Sequence, residues 1–425
     1  MKFPGLRALR HRNFRLYFWG QSISLAGTWM TRLATSWLVY RLTGSTFLLG
    51  AVTFAGQIPT FLLGPLAGVW LDRWERRRVL LVTQFLAAAQ SLLLAGLTLS
   101  GRITIPEIVA LSICQGLINA FDVPARQSFL VQMVGGRDDL SNAIALNSTM
   151  VNGARLLGPA LAGLTVAAVG EGYCFLIDGL SYFAVIASLA AMRLDPHIQG
   201  KAPPSMLVQL REGWTYVSTF APIRTVMILF ALISFMGIPY GILMPVFADK
   251  ILHGGPHTLG FLMGVSGVGA GLATVSLALR KSVHGLYQVI PLGSALMGAG
   301  LIAFSFSRSL WLSLALMGLT GFGMMQSYAA SNTVIQTIVE NDKRGRVMSY
   351  WTMAYMGASP LGSLLAGTVA PVLGAPGTVL LCGVGSALAA AWFWLQLPKL
   401  RPAIRLSYQR LGLLPGVPTA LDNET

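Results

Sequence analysis

Gly68-Val69-Trp70-Leu71-Asp72-Arg73-Trp74-Glu75-Arg76-Arg77-Arg78 separates two long apolar runs. The first, from Thr46, stops at Asp72; four arginines follow within six residues, and a second run starts at Val79. Lys and Arg gather on the cytoplasmic side of membranes, so a basic cluster between two membrane-length runs reads as a short cytoplasmic loop. The whole chain supports that reading. Of its 425 residues 54% are hydrophobic and 11% charged, whereas a soluble domain carries about 25% charged residues. At about 20 apolar residues per crossing, the chain has room for roughly twelve helices with short loops. The runs are continuous and do not alternate, which excludes a transmembrane barrel. The class is an all-α integral membrane protein.

Working outward, apolar segments lie near 16–40, 46–71, 79–99, 104–121, 142–166 and 173–192, and again near 222–247, 258–279, 286–307, 310–334, 347–372 and 376–396. Between the two sets the polar stretch from Arg193 to Ser218 holds Pro196, Lys201, Pro203 and Pro204. Its later part (Met206, Leu207, Leu210, Trp214, Val217) has the spacing of a surface amphipathic helix. The expected organisation is a six-helix bundle over 1–192, a cytoplasmic linker with that helix over 193–219, a second six-helix bundle over 220–396, and a cytoplasmic tail over 397–425.

Charge placement tests the count of crossings. With the termini and alternate loops assigned to the cytoplasm, that side holds 24 of the 30 basic residues. The opposite side holds Arg41, Arg102, Lys250 and Arg308, while Arg32 and Arg155 lie within spans. This bias puts both termini in the cytoplasm and requires an even number of spans. Twelve fits. Because the basic residues are spread over several loops with no soluble basic module, the net charge of +15 does not point to nucleic acid. Cys114, Cys174 and Cys382 fall inside apolar runs and read as small hydrophobes, not disulfide partners. The basic segment Met1 to Arg15 leads into a full-length span without a cleavage site, so no signal peptide is expected.

The two sets also repeat. The window Ala154-Arg155-Leu156-Leu157-Gly158-Pro159-Ala160-Leu161-Ala162-Gly163 matches Ala358-Ser359-Pro360-Leu361-Gly362-Ser363-Leu364-Leu365-Ala366-Gly367 at six of ten positions. The windows occupy the fifth span of each set, so the bundles are expected to be pseudo-symmetric, as parallel repeats are in transporters.

The opening stretch resembles the loop between the second and third helices of major facilitator superfamily transporters. Gly68, Asp72, Arg73, Arg76 and Arg77 match that family's pattern, and Glu75 stands where a Gly is usual. Other stretches are similar to the enterobactin-exporter and drug–proton antiporter branch: Leu42-Thr43-Gly44-Ser45, Ala120 to Gln127, Asn142 to Ser148, and Arg344-Gly345-Arg346-Val347-Met348. The resemblance implies proton-coupled export and a gating role for the loop. Asp72 would sit near the start of span 11, where a helix N-terminus favours an anion. Arg73 with Arg76 or Arg77 would link neighbouring helices. One departure concerns span 4, where Gln115-Gly116 is present but Ser112 occupies the position of the family's buried Arg.

Charge inside a bilayer is costly and marks function by default. The candidates are Arg32, Asp122, Arg155 and Asp178. Asp178 and Arg32 lie at similar depth, so Asp178 is expected to pair with Arg32 or, failing that, with Arg155. Two readings stand: a permanent structural ion pair, or a carboxyl that gains and loses the coupling proton. In span 5, Gly153, Gly158, Pro159 and Gly163 resemble the antiporter motif of exporters, where small residues let backbones approach and Pro breaks the ladder; ordinary packing would use the same residues. Hydrogen-bonding cavity candidates are Gln21, Thr28, Gln57, Gln115, Asn119, Asn147 and Asn152. From the second set come Phe235, Met236, Tyr240, Met325, Gln326, Tyr328, Trp351 and Tyr355, soft groups able to repack around varied ligands. Gly237, Pro239, Gly241 and Pro245 make span 7 a candidate broken helix.

Gly267 to Gly271 resembles a nucleotide loop but lies within an apolar span with no preceding strand. His253 and His257 alone make a poor metal site. No catalytic constellation appears, so no enzyme activity, cofactor or metal is expected. The expected function is secondary export of an amphiphilic small molecule, a siderophore or a drug, by proton antiport across a bacterial inner membrane, as a monomer. The excess of Arg32 and Arg155 over Asp178 favours an anionic substrate. A lysophospholipid carrier is the alternative within transport, and a non-transporting sensor or scaffold the alternative outside it.

Overall fold

A computed structural model describes residues 4–71, 74–134, 137–193, 206–280, 285–340 and 343–410. The first set of helices is α1 (Arg12–Thr43), α2 (Thr46–Leu71), α3 (Arg76–Leu99), α4 (Ile105–Met133), α5 (Arg137–Val169) and α6 (Glu171–Ala191). A short α7 (Met206–Thr219) follows, then α8 (Ala221–Ile251), α9 (Pro256–Ala278), α10 (Leu286–Phe306) and α11 (Leu310–Ile338). The last helical stretch, Arg344–Arg410, turns at Gly374 (φ 73°, ψ 163°) into α12 (344–373) and α13 (375–410). A continuous 67-residue helix would run about 100 Å, over three times the ~30 Å hydrocarbon core. Glycine supplies the left-handed φ that the reversal needs. No strand is present among the described residues. The spans α1–α6 and α8–α13 give the twelve crossings of an all-α membrane protein, and both described chain ends emerge on the same side.

The expected break in span 7 takes the form of local rewinding of α8. A π-helical turn at Ile233–Gly237 is followed by a 3₁₀ segment at Ile238–Leu243 and a second π turn at Phe247–Ile251. Pro239 and Pro245 lack the N–H that a regular α-helix requires, and the Ser234 hydroxyl in the first turn donates to the Tyr355 carbonyl of α12.

Span 4 runs further than its apolar run. Its first turn is held by a capping box, in which the Thr104 N–H donates to Glu107 Oε2 at 2.7 Å. Its end lies at Met133, not near 121, because Arg126 forms an ion pair with Asp122 one turn earlier and so can stay in the helix.

Within the first set α1 packs on α5 and α6, α2 on α4, and α3 on α4 and α6; in the second, α11 packs on α9 and α10. Two seams join the sets, α5 against α9 and α2 against α12. A Cβ added to Gly163 would lie 2.8 Å from the Cα of Gly260, and one added to Gly367 would lie 3.1 Å from the Cα of Gly50. Both seams are therefore backbone on backbone. Gly163 and Gly367 are the equivalent last residues of the repeated window, so the repeat supplies one contact to each seam. Both contacts lie at the end of the bundle opposite the chain termini, the far end hereafter.

Candidate functional site

Trp29, one turn before Arg32 on α1, organises the charged interior. The Arg32 guanidinium carbon lies 4.9 Å from the Trp29 ring centroid and that of Arg155, on α5, lies 5.8 Å from it. Gly158 brings α5 close enough for this, since a Cβ there would meet the Cβ of Trp29 at 2.4 Å. Arg155 also reaches across to α11, where its Nη2 points at the Met324 sulfur at 3.8 Å. Arg32 keeps exposed surface and is within electrostatic reach of Arg155, Tyr182 and Tyr355. Among the described residues, neither arginine has a carboxylate within ion-pair distance.

The expected pairing of Asp178 with Arg32 or Arg155 does not form. Asp178 Oδ2 accepts from Thr31 Oγ1 at 2.9 Å and from Ser91 Oγ at 2.7 Å. Its Oδ1 is buried with no hydrogen-bond partner among the described residues. The reason is angular: successive helix residues diverge by about 100° around the axis, so the depth that Arg32 shares with Asp178 does not make them face each other. Thr31 faces α6 and Arg32 does not.

Asp122 belongs to a separate network near the other end of the first set. It accepts from Thr83 Oγ1 at 3.0 Å and Gln84 Nε2 at 2.7 Å, and pairs with Arg126. Tyr17 donates to Asn147 Oδ1 at 3.1 Å, tying α1 to α5. At the same end Arg77 donates from Nε to the Leu189 carbonyl at 2.9 Å and from Nη2 to the Ala190 carbonyl at 2.8 Å. Its cation thereby caps the C-terminus of α6. Arg76 opens α3 and Gly68 lies in α2; Asp72 and Arg73 are outside the described residues.

On the second set, Tyr328, Trp351 and Tyr355 come together as one aromatic group. Ring centroids are 4.7 Å apart for Tyr328–Trp351 and 4.8 Å for Tyr328–Tyr355. Phe230 joins at 6.0 Å from Trp351. The Trp351 indole N–H is buried and, among the described residues, has no acceptor. Tyr328 lies one turn from Met324 on α11, and so near Arg155. Tyr240 is also within electrostatic reach of Arg155.

The remaining cavity candidates scatter. Met236 packs its side chain on Gly385 of α13, and Met325 packs with Ala270 and Ala273 of α9, so both fill helix contacts where cavity lining was expected. The Phe235 carbonyl packs where a Gly362 Cβ would be. Gln326 donates to Ser276 Oγ at 2.7 Å, Gln115 to Asn119 Oδ1 at 3.2 Å, and Asn152 to the Ser148 carbonyl at 2.9 Å. Thr28 donates to the Ser24 carbonyl at 3.0 Å and lies 3.5 Å from the Tyr182 hydroxyl. Gln57 is exposed on α2, and the Gln21 Oε1 is buried without a partner among the described residues. In the antiporter-like segment, Gly158 and Gly163 make the tight contacts, Pro159 lies between them, and a Cβ on Gly153 would meet nothing within 4 Å.

Sequence reasoning missed Trp29, Thr31, Ser91 and Phe230. Trp29 alone had a usable signal, since it precedes Arg32 by one turn and so shares its face. Among the described residues no group of three or more His, Cys, Asp or Glu could hold a metal ion.

A family model described as transmembrane secretion effector matches residues 4–412. The chain is 27% identical over 391 residues to a staphyloferrin A transporter of Staphylococcus aureus, covering 91% of this chain and 96% of that protein. It is 26% identical over 373 residues to the multidrug efflux pump Tap of Mycolicibacterium fortuitum, covering 84% and 88% respectively. In fold it is similar to the nucleoside transporter NupG, with a TM-score of 0.72 at 14% identity over 91% of this chain and 99% of that one.

Proposed function

We propose that this chain, which belongs to the transmembrane secretion effector family of the major facilitator superfamily, exports an amphiphilic small molecule of the siderophore or drug class in exchange for protons. The relatives that support this class are a siderophore transporter and a multidrug efflux pump. The observation that carries the reading is Arg155: it sits beside Arg32 and Trp29 in the first set and touches Met324 in the second. A ligand held there contacts both sets, so their relative motion changes its exposure.

In this reading residues 1–192 and 220–396 form two bodies that rock about the site, with the chain termini in the cytoplasm. The far end then faces outward and is shut by the two glycine seams, leaving the site to load from the cytoplasm. Asp178 supplies the proton step. A buried carboxyl held by hydroxyls, with one oxygen unpartnered and no cation beside it among the described residues, is costly while charged, and a proton removes that cost. The inner latch at Asp72 and Arg73 would close the other side by resemblance. The chain works as a monomer in a bacterial inner membrane.

The test is accumulation in everted membrane vesicles energised by an imposed pH gradient without ATP, using a panel of siderophores and macrolides. Uptake of at least one compound that requires the gradient and this protein is expected. If no compound in the panel accumulates above vesicles lacking the protein, the export reading fails.

A further inference from the structure

We propose that the central site recognises an organic anion attached to a flat aromatic ring, with the anion taken by Arg32 and Arg155 beside Trp29 and the ring by Tyr328, Trp351 and Tyr355. This rests on the reading of the interior as a transport site and specifies which chemistry it selects. The starting point is an imbalance. Charges inside a membrane protein are normally paired with one another, yet these two guanidiniums stand beside the same indole with no carboxylate in reach among the described residues. Asp178, their one expected partner, is engaged by Thr31 and Ser91 instead.

Two like charges within electrostatic reach of each other repel, and an anion between them relieves that repulsion. A guanidinium beside an indole can still offer N–H groups to a carboxylate in a bidentate fork. The aromatic half is argued separately. Tyr328, Trp351 and Tyr355 group on the helices that face Arg155, and the Trp351 N–H is a buried donor with no acceptor among the described residues. Buried polar groups rarely remain unpaired, so a ligand oxygen beside the ring completes that site. An organic cation would gain from the aromatic faces but meet two guanidiniums. A small aliphatic polyanion would satisfy the arginines and leave the rings and the indole N–H unused.

The experiment is binding to the detergent-purified full chain by isothermal titration calorimetry. Four probes separate the terms: naphthoate, its neutral amide naphthamide, naphthylmethylammonium, and citrate. Naphthoate is expected to bind at least about tenfold more tightly than each of the others, the scale of one charge-assisted contact. Arg32→Gln and Arg155→Gln should each weaken naphthoate about tenfold and leave naphthamide unchanged, and Tyr355→Leu should weaken naphthoate without affecting citrate. Equal binding of naphthamide or the ammonium would overturn the anion half, and citrate matching naphthoate would overturn the ring half. Absence of binding by every probe overturns both. If an arginine variant does not purify as a single species, the native protein's ranking of the four probes decides, with Arg32→Lys expected to keep the preference. No membrane is present in this assay, so its failure is distinct from a failure of the vesicle experiment.

Discussion

Tyr40 on α1 donates its hydroxyl proton to Asp249 Oδ2 on α8 at 2.7 Å, joining the two sets of helices at the far end. Nearby, Thr46 Oγ1 reaches the Gly367 carbonyl at 3.3 Å, and Arg41 pairs with Glu171 at 2.7 Å. The last of these stays within the first set, whereas the Tyr40 bond must break before the sets can part. Removing the hydroxyl should therefore shift the conformational balance and leave the fold intact.

Tyr40→Phe is expected to favour the state open at the far end by about 1 kcal/mol, or about fivefold in population, since Asp249 is exposed and can regain water. Labelling of a cysteine introduced at Thr28 with a membrane-impermeant maleimide applied outside should speed up by that factor. Unchanged labelling would show that the bond does not hold the far end closed.

The seams make a sharper prediction. Gly163→Val and Gly367→Val place carbon atoms where the backbones of α9 and α2 already lie, so each should block closure and stop transport. Gly153→Ala has open space and should keep transport while stabilising the helix by about 0.5–1 kcal/mol. Transport that survives both valine variants would remove the seams from the mechanism.

Asp178→Asn keeps an oxygen for the hydroxyls of Thr31 and Ser91 but cannot release a proton. Substrate binding should stay within about twofold of the native protein, because the hydrogen bonds are retained, while proton-driven accumulation is lost. Pairing this variant's calorimetry with vesicle uptake separates the two effects.

Asp122→Ala leaves Arg126 without its ion pair and should lower stability by about 3 kcal/mol, the usual cost of a lone, largely buried charge. Replacing both residues, as Asp122→Ala with Arg126→Leu, should recover part of that loss in thermal unfolding. Equal destabilisation by the single and double changes would mean that the charge is not the cause.

The contrast between Thr31 and Arg32 shows where sequence reasoning reached its limit. Hydropathy and charge place a residue along a helix, and they located the spans, the break in α8 and the buried carboxyls Asp122 and Asp178. They do not fix rotation about the axis, so the neighbour of the expected arginine became the partner of Asp178. Likewise Pro124 and Arg126 look like a loop by composition; only the pair with Asp122 explains why α4 continues to Met133. The aromatic trio was legible only as residue types: Trp351 and Tyr355 lie one turn apart on α12, but nothing in the sequence set Tyr328 of α11 beside them. Met236 and Met325 had the same chemistry but filled packing gaps, which their spacing could not distinguish. Gly163 and Gly367 were the most informative positions, since internal repetition marked them before any contact was known.

The central claim is an exchange of substrate for protons through the Arg32–Arg155 interior. Its most direct test uses purified protein in liposomes loaded with a pH-sensitive dye, with an outward substrate gradient and no ATP. Proton entry that requires substrate, and that disappears in Asp178→Asn, is the predicted result. Substrate movement with no accompanying proton flux would contradict it.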